Sequence, residues 1–187
     1  VAPTSLSFTT GNWATPQTVT VTAVDDSIAE GAHTGNISHS ANGGGYTGVS
    51  IASVTASITD NDTATLTTAA VSQDEGNSGS SNMVFTLQLT GQVAGGFSVD
   101  YQTVAGTASA GQDYAAANGT LNFDGSLNPS RTVAVGIFGD TTVEPDETFS
   151  LNLTTASSSV VLSPATVSGT IRNDDVSVDA IFDDGFE

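Results

Sequence analysis

Apolar and polar residues alternate with a period of two in several short runs along the chain. Thr18-Val19-Thr20-Val21-Thr22-Ala23-Val24 is one, Met83-Val84-Phe85-Thr86-Leu87-Gln88-Leu89 a second, and Thr132-Val133-Ala134-Val135-Gly136-Ile137 a third. That period turns one side of an extended strand inward and the other toward water. Clusters of turn residues separate the runs: Asn42-Gly43-Gly44-Gly45, Gly76-Asn77-Ser78-Gly79, Gly95-Gly96 and Asp124-Gly125. No stretch sustains a period of 3.6 residues. The pattern predicts an all-β chain of antiparallel, immunoglobulin-like β-sandwiches.

The pattern also repeats. Leu6-Ser7-Phe8 matches Leu121-Asn122-Phe123, and Val19 to Asp26 followed by Glu30 matches Val133 to Asp140 followed by Glu144. Val54 to Asp62 matches Val167 to Asp175, and the offset holds at 113 to 115 throughout. The repeating unit is therefore about 110 residues long, the size of one sandwich. It ends in an acidic boundary, Asp60-Asn61-Asp62 or Asn173-Asp174-Asp175.

The spacing predicts a complete sandwich at 63–175, preceded at 1–62 by the C-terminal half of another and followed at 176–187 by a strand-like tail. The tandem thus has an incomplete first member, whose counterpart of residues 64–116 would fall before Val1. Half a sandwich exposes a strand edge, a template for pairing with a neighbouring subunit or a flanking repeat.

Composition narrows the function. The chain of 187 residues has 20 Asp plus Glu, two Arg (Arg131 and Arg172), no Lys and a formal charge of −18. Nucleic acid is excluded as a partner, since almost nothing can neutralise phosphates. An anionic membrane surface would repel the chain, and no apolar run of about eighteen residues predicts membrane insertion. Hard carboxylate oxygens suit Ca²⁺ instead. The regular alternation argues against a disordered acidic tail. Cysteine is absent, which removes disulfides, thiol catalysis and Cys-based zinc sites. No signal peptide is evident, and Val1 is read as a processed or cut start.

The motifs of the second repeat resemble the Calx-beta family. They are Asp74-Glu75-Gly76-Asn77-Ser78-Gly79, Val99-Asp100-Tyr101, Gly106-Thr107-Ala108, Gly111-Gln112-Asp113-Tyr114 and Gly119-Thr120-Leu121-Asn122-Phe123. Gly139-Asp140-Thr141-Thr142-Val143-Glu144-Pro145-Asp146-Glu147-Thr148-Phe149 and Asn173-Asp174-Asp175 complete the set. Regulatory Ca²⁺-binding domains of sodium–calcium exchangers and many bacterial surface proteins share this fold. The resemblance implies Ca²⁺ ligands at one tip of the sandwich, here Glu75, Asp113, Asp140, Glu144, Glu147, Asp174 and Asp175. Two departures weaken the set: Gly139 stands where ion-binding members often have Asp, and Asn173 replaces a further acid. The first repeat keeps Asp25, Asp26, Glu30, Asp60 and Asp62, but His33 stands at the position of Glu147, and no strong site is expected there.

The competing reading of these acids is that Asp and Asn merely favour turns. Catalysis finds no support. His33 and His39 lack the spacing of a zinc protease, and no Gly-x-Ser-x-Gly elbow occurs. The pair Glu144 and Glu147 suggests a glycosidase in isolation, yet both lie in the ion-ligand motif and no aromatic sugar groove is evident. Trp13, Tyr46, Tyr101 and Tyr114 read as packing residues. The tail, Ile181-Phe182-Asp183-Asp184-Gly185-Phe186-Glu187, is similar to endings of exported gram-negative proteins.

The expectation is therefore a secreted or cell-surface, non-catalytic structural protein that binds Ca²⁺ and self-associates, as a filament subunit completed by a neighbour's strand. Its alternatives are a rigid stalk of a bacterial adhesin and an accessory carbohydrate-binding module of an exoenzyme.

Overall fold

The computed structural model describes residues 1–177, which form strands and turns and no helix. The tail read as strand-like at 176–187 thus lies outside the described residues from 178 onward. Two compact units divide the chain: unit 1 is Val1–Asp26 with Ala32–Ile58, and unit 2 is Ser27–Gly31 with Thr59–Glu187.

In chain order the strands are β1 (Ile28–Ala29), β2 (His33–Ile37), β3 (Val54–Ile58), β4 (Ala64–Thr67), β5 (Val71–Asp74), β6 (Gly79–Thr90) and β7 (Gln92–Val93). There follow β8 (Phe97–Ala105), β9 (Asn118–Phe123), β10 (Ser130–Gly139), β11 (Glu147–Thr154), β12 (Val160–Leu162) and β13 (Thr166–Arg172).

Unit 2 is an immunoglobulin-like β-sandwich. One sheet has the order β10-β6-β4-β12, the other β5-β13-β11-β8-β9, and the short parallel pair β1-β7 forms a two-stranded sheet of its own, with Ala29 and Val93 in the same core. Alternation decides which side of each strand is dry. In β6, Met83, Phe85, Leu87 and Leu89 are fully buried while Val84 and Thr86 are exposed. Val133, Val135 and Ile137 of β10 join them. The second sheet answers with Val99, Phe149, Leu151, Leu153, Val167 and Ile171.

Phe149 is the centre of this core. Its ring meets Phe85 edge-on at 6.0 Å between centroids and stacks on Tyr114 at 4.5 Å. Burying each such ring stabilises the fold by roughly 1.5–3 kcal/mol, and aromatic geometry adds about 0.5–1.5 kcal/mol per pair. Tyr114 belongs to no strand, yet it is wholly buried. It pins the β8–β9 connection to the interior and so fixes its neighbour Asp113.

The turn clusters fall where glycine is needed. At Gly125 φ is +82°, and a Cβ there would land on the Val93 carbonyl oxygen. Any other residue would strain the backbone and open the turn.

In unit 1, β2 and β3 pair antiparallel, with His33 opposite Ile58, Gly35 opposite Ala56 and Ile37 opposite Val54. In unit 2, β11 and β13 place Glu147 opposite Ile171, Phe149 opposite Gly169 and Leu151 opposite Val167. The two registers are the same one displaced by the repeat, so His33 occupies the place of Glu147.

One sequence expectation is corrected here. Thr18–Val24 is not a strand; it makes a single bridge, Thr20 to Ala2. Its counterpart in β10 is hydrogen-bonded along its whole length to β6, and unit 1 has no strand of that kind among the described residues. Alternation alone does not form a strand without a partner to receive its backbone groups.

Candidate metal centre

The β5 and β13 strands run parallel, with Asp74 beside Arg172, so both end at the same tip of the sandwich. Antiparallel β11 begins there, with Glu147 beside Ile171, and β10 ends there, with Gly139 beside Gly79. These endings deliver Glu75, Asp140, Glu147, Asp174 and Asp175 to one place. Glu144 comes from the connection between β10 and β11.

Asp113 arrives on the β8–β9 connection, which is held at several points. Ala108 N donates to the Thr148 carbonyl at 2.9 Å, and Phe138 N to the Asp113 carbonyl at 2.9 Å. Ser109 N donates to Asp113 Oδ2 at 2.6 Å. The result is that Asp113, Glu144 and Glu147 each place a carboxylate oxygen within 4.8 Å of the others.

Electrostatics ties the remaining acids to these three. Burial, a hydrogen bond with Asp113 and the charges of Asp113, Glu144 and Glu75 push Glu147 up to about 7. Burial raises Glu75 as well, followed by the charges of Asp140, Asp175, Glu144 and Asp174. The charges of Asp140, Glu144, Asp174 and Asp175 thus act on Glu75, and Glu75 in turn acts on Glu147 of the trio. No basic side chain relieves this repulsion. Arg172 turns to Asp74 at 2.8 Å, and Arg131 lies over the Phe123 ring.

Two oxygens in the cluster are buried without a hydrogen-bond partner, Glu75 Oε1 and Asp175 Oδ2. Each of these side chains is 9% exposed. A buried carboxylate oxygen lacking a donor costs free energy unless a cation meets it. The donor set is all hard oxygen, and it fits Ca²⁺, which takes roughly 6–8 such ligands at flexible angles.

Several residues with a part in the tip escaped the sequence reading. Asn173 is more than a lost acid: its Oδ1 accepts from Glu144 N at 3.2 Å, and its Nδ2 donates to the Asp175 carbonyl at 3.1 Å. An aspartate has no N–H to make the second bond. Asn77 Nδ2 donates to Asp175 Oδ1 at 2.6 Å, and Gly76 N to Asp174 Oδ1 at 3.0 Å, which locks the turn after β5 to the end of β13. Asp146 accepts from Asn173 N at 3.2 Å. Gly139 has a steric reason to be glycine, since a Cβ there would land on the Gly76 carbonyl oxygen.

The acids of the first repeat are arranged differently. Asp60 Oδ2 accepts from the backbone N–H groups of Glu30 and Gly31, both at 2.8 Å, and its Oδ1 accepts from Asp62 N at 3.1 Å. That carboxylate caps a loop. Among the described residues, only the Asp113, Glu144 and Glu147 trio brings three acids within 4.8 Å. Away from the tip, an open groove of about 550 Å³ crosses β8, β9 and β11 and is lined by Asp100, Gln102, Asn118, Thr120 and Asn152. Tyr101 also lines the groove and is partly buried against the core.

Comparison with known proteins gives one family. The model described as "Calx-beta domain" matches residues 2–62 and 58–175. Among solved structures, the apo-form Calx CBD1 domain is similar, with a TM-score of 0.54 and 25% identity over 61% of this chain and 100% of that one. CBD12 from CALX1.2 has a TM-score of 0.50 and 26% identity over 59% of this chain. The calcium binding domain CBD12 of CALX1.1, at 23% identity and a TM-score of 0.52, shares the fold. The chain spans 46% and 44% of those two CBD12 chains. No curated protein matches it.

Proposed function

The chain belongs to the Calx-beta domain family, and on that premise we propose that it is a non-catalytic structural module that binds Ca²⁺ at the tip of unit 2. Glu75, Asp113, Asp140, Glu144, Glu147, Asp174 and Asp175 hold the ion. The observation that carries this reading is the pair of buried, partnerless oxygens, Glu75 Oε1 and Asp175 Oδ2, inside a cluster with no basic side chain. The similar CBD12 of CALX1.1 is itself described as a calcium binding domain. Ca²⁺ relieves the repulsion among the carboxylates and ties the ends of β5, β10 and β13 to the start of β11.

Calorimetric titration of the metal-free chain with CaCl₂, and thermal unfolding with and without chelator, test the proposal. Binding at 100 times Kd stabilises the folded state by about 2.7 kcal/mol. Absence of heat and of any shift in melting temperature would sink it.

The finer reading is an extracellular or cell-surface module that associates with neighbouring Calx-beta repeats. A chain without Lys or Cys and with a charge of −18 suits an exported protein. The observation favouring association is in unit 1, where β2 and β3 form a two-stranded sheet and no residue is buried. A self-assembled filament and an adhesin stalk differ in where the covering strands come from. Light scattering distinguishes them: polymers that dissolve on chelation favour the filament, and a particle of one chain mass removes it.

A further inference from the structure

The outward face of the five-stranded sheet carries a polar ladder that the acidic tip does not use. In that sheet β8 lies between β9 and β11. Gln102 stands opposite Asn118 on one side and Asn152 on the other, and Asp100 stands opposite Thr120 and Thr154. Two rungs result, Asn118–Gln102–Asn152 and Thr120–Asp100–Thr154. Their chain neighbours Val99, Thr103, Leu151 and Leu153 are buried, so alternation turns all six side chains toward solvent. All six line the open groove of about 550 Å³, a size within the range of small-molecule sites. The strand β11 starts at the acidic tip and reaches this groove only near its end.

The three carboxamides are uncommitted. Among the described residues, the side chains of Gln102, Asn118 and Asn152 make no hydrogen bond. Elsewhere in unit 2 such groups hold the fold: Gln73 bonds Ser81, Gln88 bonds three backbone carbonyls, and Asn77 bonds Asp175. Each free carboxamide presents an acceptor oxygen beside a donor N–H, the pair that adjacent hydroxyls of a sugar ring satisfy together. Neighbouring strands stand about 4.8 Å apart, so the row repeats on the scale of one sugar ring. Charge selects further. Asp100 is the one charged residue of the groove, and its Oδ1 accepts from Thr120 Oγ1 at 2.6 Å. A lone carboxylate so tied makes a poor cation site, and a chain of charge −18 repels anionic ligands. A peptide finds no strand edge to extend at β8 or β11, because both are hydrogen-bonded on each side.

We propose that this groove binds a neutral oligosaccharide, lying across β9, β8 and β11 with its hydroxyls on the row of amides. Recognition rests on the paired donors and acceptors of Gln102, Asn118 and Asn152, with Asp100 and the two threonines completing the hydroxyl contacts. The site goes beyond the Ca²⁺ reading and does not rest on it.

Heteronuclear NMR of the nitrogen-labelled full chain tests this, because it reads side-chain carboxamides directly. Cellohexaose, laminarihexaose, maltohexaose, mannohexaose, xylohexaose and N-acetylchitohexaose are added singly at millimolar concentration. The expected result is saturable shifts of the Gln102, Asn118 and Asn152 side-chain resonances with at least one sugar, while those of Gln73 and Gln88 stay in place. Gln102→Ala then weakens binding by about tenfold or more, as loss of paired hydrogen bonds does. Asn152→Ala repeats the test from the neighbouring strand, and Asn122→Ala, on β9 outside the groove, leaves binding unchanged. The dispersion of each variant's spectrum shows that it is folded. No shift at the three carboxamides with any of these sugars overturns the proposal, and so does binding that Gln102→Ala and Asn152→Ala leave intact. Equal shifts with a serine- and threonine-rich peptide make the face a peptide site and overturn it as well. Calorimetry with CaCl₂ reports separately on the tip, so the two readings fail independently.

Discussion

The carboxyl of Glu147 lies against that of Asp113, and burial, a hydrogen bond between the two and the charges of Asp113, Glu144 and Glu75 push Glu147 up to about 7. The folded state therefore binds more protons than the unfolded chain, in which Glu147 titrates near its ordinary value of 4.5. Where the native state holds the extra proton, stability falls as pH rises. The upward shift of Glu75 acts in the same direction.

The metal-free protein is accordingly expected to be most stable toward pH 4.5 and to weaken as the pH passes through about 7. Saturating Ca²⁺ removes this loss, because the ion replaces the proton. Urea denaturation at pH 5 and pH 8, each with and without Ca²⁺, checks both statements. A metal-free protein as stable at pH 8 as at pH 5 contradicts them.

Glu147→Gln separates a ligand from a turn residue, because its two effects have opposite signs. Removing the charge relieves repulsion, so the metal-free variant is more stable than wild type at pH 8. Its Ca²⁺ affinity falls on the order of 10–100-fold, since affinity follows the count of charged ligands. A variant with unchanged affinity would show that Glu147 does not touch the ion.

Gly139→Asp supplies the acid that the family resemblance leads one to expect at this position. The tip has closed over the glycine, however, and the new Cβ meets the Gly76 carbonyl oxygen. The expected outcome is destabilisation of about 1–3 kcal/mol by overpacking, with no gain in Ca²⁺ binding. Denaturation and titration of the same preparation measure the two together. Tighter binding at undiminished stability would mean that the turn after β5 moves aside freely.

Asn173→Asp is the second apparent restoration and the second expected loss. The variant forfeits the bond to the Asp175 carbonyl and adds an eighth carboxylate to the cluster. A cost of about 1–2 kcal/mol in the metal-free protein follows, larger at pH 8 than at pH 5. Thermal unfolding with chelator at both pH values tests it.

Much of the tip was legible in the sequence because the motif places its acids at strand ends, and strand ends of a sandwich converge. Asp113, Glu144 and Glu147 meet within 4.8 Å of one another, and Glu75 feels the charges of Asp140, Glu144, Asp174 and Asp175. The reasons for Gly139 and Asn173 were hidden, because a lost ligand and a packing requirement look identical in a one-letter code. Only the approach of the Gly76 carbonyl and the two bonds of Asn173 separate them. Thr18–Val24 was misread for a different reason. Its alternation is as good as that of Thr132–Ile137, but alternation reports which side of a strand is to be dry and is silent on whether a neighbour exists.

The parallel pairing of β5 with β13 bears on how the module carries load. Tension that passes β4 and reaches β5 draws it toward its N-terminal end and draws β13 toward its C-terminal end, so the two strands slide past each other. Their hydrogen bonds, from Val71 beside Gly169 to Asp74 beside Arg172, are strained together and not peeled one at a time. The acidic tip sits where both strands finish. A bound Ca²⁺ there acts as a clasp across the sliding pair, and single-molecule stretching should register it as a higher rupture force that chelation lowers.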